Sequence, residues 1–192
     1  MKHSIALFGT SADPPTIGHK KILEELSKIY SFTISYVSNN PNKKHKEDIS
    51  IRSHLLKTLI EDLNNPKILF NQSISSQWAI ESIKKCKGIY EFNNLDFVIG
   101  SDLIQDIFCW KNFDKIAKEV SFFIISREGY PVESNTLKIL ETYKVKFKIS
   151  TIKIPNISSS NLRSNFNYSN LPTSLIDIVK KNNLYESTKL VE

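Results

Sequence analysis

Six short runs of β-branched and aromatic residues, most followed by an amphipathic stretch, constrain this 192-residue chain more than any other feature. The runs are near-continuous rather than alternating: Ile5-Ala6-Leu7-Phe8, Phe97-Val98-Ile99 and Phe122-Phe123-Ile124-Ile125 carry apolar side chains on both faces. A strand apolar on both faces belongs in a parallel sheet, where crossover helices cover either side. Strands are predicted over 4–8, 33–38, 67–71, 96–100, 121–126 and 146–153. Helices are predicted over 18–30, 51–63, 77–85, 103–108 with 113–118, and 135–143. Ile22, Leu23, Leu26, Ile29 and Tyr30 recur at the spacing of one buried helical stripe, and Leu55, Leu56, Leu59, Ile60 and Leu63 repeat it. Two more helices, near 160–166 and 172–182, end the pattern, with Pro172 suited to a first turn. The expected fold is α/β: a doubly wound, mainly parallel sheet with helices on both faces and a C-terminal helical segment, one domain over 1–192.

Composition removes several classes. With 40% apolar and 24% charged residues the chain reads as a folded globular protein. Behind Met1-Lys2-His3-Ser4 stand only four apolar residues, too few for a secretory signal. No later apolar run reaches membrane-spanning length, so a cytoplasmic location is expected. Cys86 and Cys109 lie far apart with no metal-type spacing and are expected as buried thiols, without a protein-held metal. The formal charge of +6 invites a nucleic-acid partner. However, the clusters Lys43-Lys44-His45-Lys46, Lys84-Lys85-Lys87, Lys144-Lys146-Lys148 and Lys180-Lys181 are scattered and lack interleaved aromatics. They read as solvated faces whose field would draw in a polyphosphate, and no nucleic acid or membrane partner is expected. Whether the chain forms a homo-oligomer stays open.

In a parallel sheet ligands bind outside the carboxyl ends of the strands, so residues just past each strand are the candidates. Gly9 ends the first predicted strand, Gly18 opens the first helix, Gly100 ends the fourth strand and Gly129 follows the fifth; Gly88 reads as a simple turn. Neither Gly-x-Gly-x-x-Gly after the first strand nor a P-loop is present, which disfavours a dinucleotide-binding oxidoreductase and a P-loop ATPase. The first loop instead reads Gly9-Thr10-Ser11-Ala12-Asp13-Pro14-Pro15-Thr16-Ile17-Gly18-His19. Pro14 and Pro15 stiffen it, Thr16 is a good N-cap, and the amides beyond Thr16 offer a phosphate cradle at a helix start. His19, within the first turn, aims its imidazole at the same place.

At these residues the chain resembles the nucleotidylyltransferase superfamily marked by a His/Thr-x-Gly-His motif, and within it the nicotinate-nucleotide adenylyltransferases. Gly9, Thr10, Ser11, Asp13, Pro14, Thr16, Gly18 and His19 match that family's first signature. Gly100-Ser101-Asp102 with Trp110 resembles its Gly-x-Asp…Trp segment, and Arg127 with Gly129-Tyr130-Pro131 its Arg-x-Gly turn. Ile157-Ser158-Ser159-Ser160-Asn161-Leu162-Arg163 resembles its late Ser-Ser-Thr-x-Ile-Arg signature, and Val179 through Asn183-Leu184-Tyr185 its ending. Ser160 and Leu162 depart conservatively, and Thr16 stands for the commoner histidine. Ser75-Ser76-Gln77-Trp78-Ala79 stands where bacterial members often read Ser-Tyr-Thr, a stretch implied to recognise the nicotinate carboxylate through backbone amides.

The resemblance implies a Rossmann-like fold and adenylyl transfer from ATP to nicotinate mononucleotide, by direct in-line attack without a covalent intermediate. A phosphomonoester's second pKa is about 6, so the attacking phosphate needs no general base, and the enzyme's work is alignment and charge neutralisation. His19, Thr16 and Arg163 are implied as the catalytic set, with His19 and Arg163 as cations at the two ends of the triphosphate. Gly9, Thr10, Ser11, Gly18, Gly100, Asp102, Arg127, Ser158, Ser159 and Ser160 are implied on ATP, with Mg2+ held by phosphates rather than by a protein cage. For the acceptor, Trp110 is a stacking plate or a core residue, Ser76, Gln77 and Trp78 lie by the pyridine, and one of Lys43, Lys44 and His45 meets phosphate. Sister enzymes acting on nicotinamide mononucleotide or phosphopantetheine are alternatives. A non-catalytic nucleotide- or nucleic-acid-binding module is another, and an aminoacyl-tRNA-synthetase-like activator, for which the chain is short, a weaker one.

Overall fold

The structure, a computed structural model, describes residues 3–155 and 157–185. Its six strands are β1 (Ser4–Thr10), β2 (Phe32–Val37), β3 (Ile68–Phe70), β4 (Asn94–Gly100), β5 (Ser121–Ile125) and β6 (Phe147–Ser150). All pair in parallel, in the order β3-β2-β1-β4-β5-β6. The helices are α1 (Ile17–Ile29), α2 (Ile49–Asp62), α3 (Ala79–Ile89), α4 (Phe113–Glu119), α5 (Ser134–Thr142), α6 (Ser159–Ser164) and α7 (Thr173–Lys181).

Alternation along each strand sends neighbouring side chains to opposite layers. Ala6 and Phe8 join a core shared with Ile22, Leu23 and Leu26 of α1, Leu55, Leu56 and Leu59 of α2, Leu162 of α6, and Leu175 and Val179 of α7. Ile5 and Leu7 face the other core, built from Ile80, Ile83 and Cys86 of α3, Phe113 and Ile116 of α4, and Leu140 of α5. Helices thus cover both faces. The strand order runs outward in two directions from β1 and β4, and the crevice at the carboxyl ends of these two strands is the topological switch point, where such sheets bind ligands. No helix of the described residues is long and apolar enough to cross a membrane.

Four expectations are corrected. The predicted helix over 103–108 is instead two 3-10 turns, Ser101–Leu103 and Ile107–Cys109. Its buried anchors, Ile104 and Ile107, stand three apart, the repeat of a 3-10 turn, and two anchors are too few for an α-helical stripe. Ile29 is 52% exposed; at about 3.6 residues per turn it falls on the rim of the arc that Ile22, Leu23, Leu26 and Tyr30 bury. The sixth strand stops at Ser150, whose hydroxyl accepts the Ile152 N–H at 3.0 Å and turns the chain. Cys86 is buried, its thiol pushed up to about 12 by burial, whereas Cys109 is exposed because its turn spends Ile107 on the core.

Candidate active site

The loop after β1 is tied down by its own polar groups. Thr16 caps α1, and the Thr16 N–H donates to His19 Nδ1 at 3.1 Å while its hydroxyl lies 2.9 Å from the same nitrogen. This is a capping box in which histidine takes the place usual for Glu or Gln. An N–H can only donate, so Nδ1 is the acceptor and the neutral ring carries its proton on Nε2. Nε2 stands 2.9 Å from Thr10 Oγ1, whose oxygen also receives the Ala12 N–H at 3.3 Å. Burial first, and the charge of Arg127 second, bring His19 down to about 3. The expectation of a cationic His19 is therefore corrected: at neutral pH it is an N–H donor, because its ring is buried and its second nitrogen is already used. Thr16 is fully buried and spends its N–H and its hydroxyl on His19, so it holds the ring rather than presenting itself outward.

The late signature folds onto this loop. Gly18 faces the Ile157 carbonyl so closely that an added Cβ would stand 3.1 Å from it. Ser159 donates its hydroxyl to the Pro14 carbonyl at 2.8 Å, and Arg163 donates to the Asp13 carbonyl at 2.5 Å and to Ser160 Oγ at 3.3 Å. Ser158 caps α6 by accepting the Asn161 N–H. All three serine hydroxyls expected on phosphate have a partner within the fold, and Ser160, which accepts from Arg163, is the exposed one of the three.

Gly100, Asp102 and Arg127 come together. Arg127 Nη1 lies 3.3 Å from Asp102 Oδ2, and a Cβ on Gly100 would stand 2.2 Å from Asp102 Oδ1 and 2.8 Å from Arg127 Nε. Ser101 braces them, its hydroxyl accepting the Arg127 N–H at 2.9 Å and donating to the Tyr130 carbonyl at 2.7 Å. Gly129, at φ +81, makes the turn that returns Tyr130 to Arg127.

Around the rim, Lys43 and Lys44 are exposed, whereas His45 turns inward with Nδ1 3.6 Å from Asp13 Oδ2. Burial, then the nearby Arg52 charge, lower the His45 pKa despite Asp13. Ser76 bonds Glu81, Gln77 is exposed, and Trp78 and Trp110 are half-buried against the second core, Trp110 meeting Phe97 edge-on.

Two residues carried no expected role and prove central. Asp13, fully buried, accepts the N–H groups of Lys46 at 2.7 Å and Glu47 at 3.2 Å, with Arg163 3.5 Å from its carboxylate. Arg52, 2% exposed, donates to the carbonyls of Glu47 at 3.0 Å, Ser11 at 2.8 Å and Ser38 at 3.4 Å. The signal for Arg52 lies in the sequence: it shares the stripe of Leu55, Leu56 and Leu59, where a cation needs a reason.

A switch-point crevice with helix-start amides, an N–H-donating histidine and two arginines, and among the described residues no paired-carboxylate or Ser-His-Asp arrangement, defines a nucleotidyltransferase-type site. Residues 7–165 match the cytidylyltransferase-like family. Among relatives, an Aliarcobacter butzleri protein named "Probable nicotinate-nucleotide adenylyltransferase" is 30% identical over 155 residues, covering 77% of this chain and 83% of its own. A Clostridium tetani protein of the same name is 26% identical over 195 residues, 94% and 98% of the two chains. The structure of Plasmodium falciparum nicotinic acid mononucleotide adenylyltransferase complexed with NaAD matches with a TM-score of 0.80 at 25% identity, over 95% of this chain and 97% of that one. The chain belongs to the cytidylyltransferase-like family, in its nicotinate-nucleotide adenylyltransferase branch.

Proposed function

We propose that the chain transfers the adenylyl group of ATP to the phosphate of nicotinate mononucleotide, giving nicotinate adenine dinucleotide and pyrophosphate. The observation that carries this reading is the meeting of the first and last signatures, through Ser159 on Pro14 and Arg163 on Asp13, beside a histidine whose N–H proton is directed outward from the helix cap. A phosphate oxygen of the acceptor attacks the α-phosphorus in line, the bond from that phosphorus to the β-bridging oxygen breaks, and pyrophosphate leaves with the electron pair. His19 exchanges its Nε2–H from Thr10 to a phosphate oxygen as charge grows there, and the α1 amides and Arg163 add donors.

Arg127 and Asp102 would flank the adenosine side, and Lys43 or Lys44 the acceptor phosphate. ATP brings its magnesium ion as part of the substrate: the donors at the phosphate end are N–H, hydroxyl and guanidinium groups, which suit phosphate oxygens and not a cation. When bound, that ion neutralises charge on the phosphates.

Pyrophosphate release with ATP and, in turn, nicotinate mononucleotide, nicotinamide mononucleotide and phosphopantetheine tests the reading. Release is expected chiefly with the first; release with phosphopantetheine alone sinks it.

A further inference from the structure

The face of Trp78 is covered by the ammonium of Lys111, 4.7 Å from the ring centroid. Trp78 lies in the segment that follows β3, and Lys111 stands next to Trp110 in the segment that follows β4. Their contact joins two stretches of the carboxyl edge that no signature links. Both indoles are half-buried on the same core, and Trp110 is held edge-on against Phe97 at 6.0 Å, so neither plate is free to swing. Lys21, Lys28, Lys57, Lys87 and Lys148 each hold a carboxylate. Lys111 instead rests on an aromatic face, and among the described residues no carboxylate oxygen comes within 4.0 Å of its ammonium. A cation held only by a ring quadrupole keeps its full charge available to an incoming anion.

We propose that Lys111 is the specificity-determining cation that favours an acceptor bearing an aromatic carboxylate over the matching carboxamide. The proposal rests on the acceptor reading above and deepens it. A flat pyridine entering beside Trp78 and Trp110 must share or displace the ammonium from the indole face. A carboxylate on that ring gives the ammonium a charge-assisted partner in exchange, whereas a carboxamide gives only a neutral oxygen. The discrimination therefore lies in binding that is equal in the ground and transition states, which moves KM and leaves kcat in place.

The test is steady-state pyrophosphate release by wild type, Lys111→Met and Lys111→Arg with nicotinate mononucleotide and with nicotinamide mononucleotide. Methionine keeps the apolar stem on Trp78 and removes the charge. Lys111→Met is expected to raise KM for the acid form about tenfold, with kcat within about twofold, the scale of one charge-assisted hydrogen bond. KM for the amide form should hold or fall, and Lys111→Arg should restore preference for the acid. Equal changes for both acceptors, or none for either, overturn the role of Lys111. A wild-type enzyme that uses neither pyridine mononucleotide overturns the acceptor reading itself, and the proposal with it.

Discussion

Arg163 donates to the carbonyl oxygen of Asp13 at 2.5 Å and stands 3.5 Å from its carboxylate, joining residues 150 positions apart. The cation is thus aimed before substrate arrives, and one face of its fork stays engaged with the first loop. Arg163→Ala is expected to lower kcat/KM by about 10²–10³, the usual cost of one transition-state donor. Arg163→Lys should recover only part of this, because one ammonium cannot serve both the loop and a phosphate. Steady-state pyrophosphate release measures both variants, and full activity in Arg163→Lys would mean that only charge matters here.

His19 should stay neutral throughout the working pH range. Its folded value of about 3 lies below the ordinary 6.5, through burial and then the Arg127 charge. The group therefore contributes stability that is fully present above pH 6.5 and is lost as pH falls toward 3, by about 2 kcal/mol at pH 5. In NMR of labelled protein, the ring nitrogens of His19 should report the Nε2–H form with no titration between pH 8 and 5. The acid limb of kcat/KM should then fall near pH 6, where the acceptor phosphate takes its second proton. A His19 midpoint near 6.5 would refute the buried-donor arrangement.

Much of this was legible in the chain. Near-continuous apolar runs specified a parallel sheet, because only helices on both faces can bury such strands, and the loop from Gly9 to His19 specified a capped helix start at the carboxyl end of β1. What stayed hidden depends on atoms distant in sequence. Nothing local to His19 says that burial will strip its charge, or that Arg127 will stand near enough to matter. The sequence likewise gives no sign that the Ser159 hydroxyl will bond the Pro14 carbonyl, 145 positions away. The segment over 103–108 misled because two apolar residues three apart fit a helical stripe and a 3-10 turn equally well.

Arg52 ties the two loops that follow β1 and β2 at the sheet's carboxyl edge, through the carbonyls of Ser11 in the first and of Ser38 and Glu47 in the second. Its removal leaves these acceptors unpaired in a buried place and frees the segment bearing Lys43, Lys44 and His45. Arg52→Met is expected to destabilise the fold by about 3 kcal/mol in urea unfolding. KM for the mononucleotide should rise in the same variant. Undiminished stability would show that water replaces the guanidinium at all three carbonyls.

Two glycines of the site should fail in different ways when given a methyl group. At Gly9 the new Cβ would stand 2.6 Å from the Tyr36 hydroxyl and 2.7 Å from its Cζ, and that ring is 3% exposed in the second core. A packed ring cannot step aside without moving its neighbours, so Gly9→Ala should cost about 1–3 kcal/mol of stability. At Gly100 the backbone has φ −77 and ψ 152, which any residue adopts, so the change adds bulk without backbone strain. There the clash falls on Asp102 Oδ1 and Arg127 Nε, atoms of partly exposed side chains that can swing outward. Gly100→Ala should therefore leave the unfolding midpoint nearly unchanged while parting the Asp102–Arg127 pair, raising KM for ATP about tenfold. Thermal unfolding and ATP titrations on both variants separate the cases. A Gly100→Ala protein that binds ATP as wild type would remove this pair from the nucleotide site.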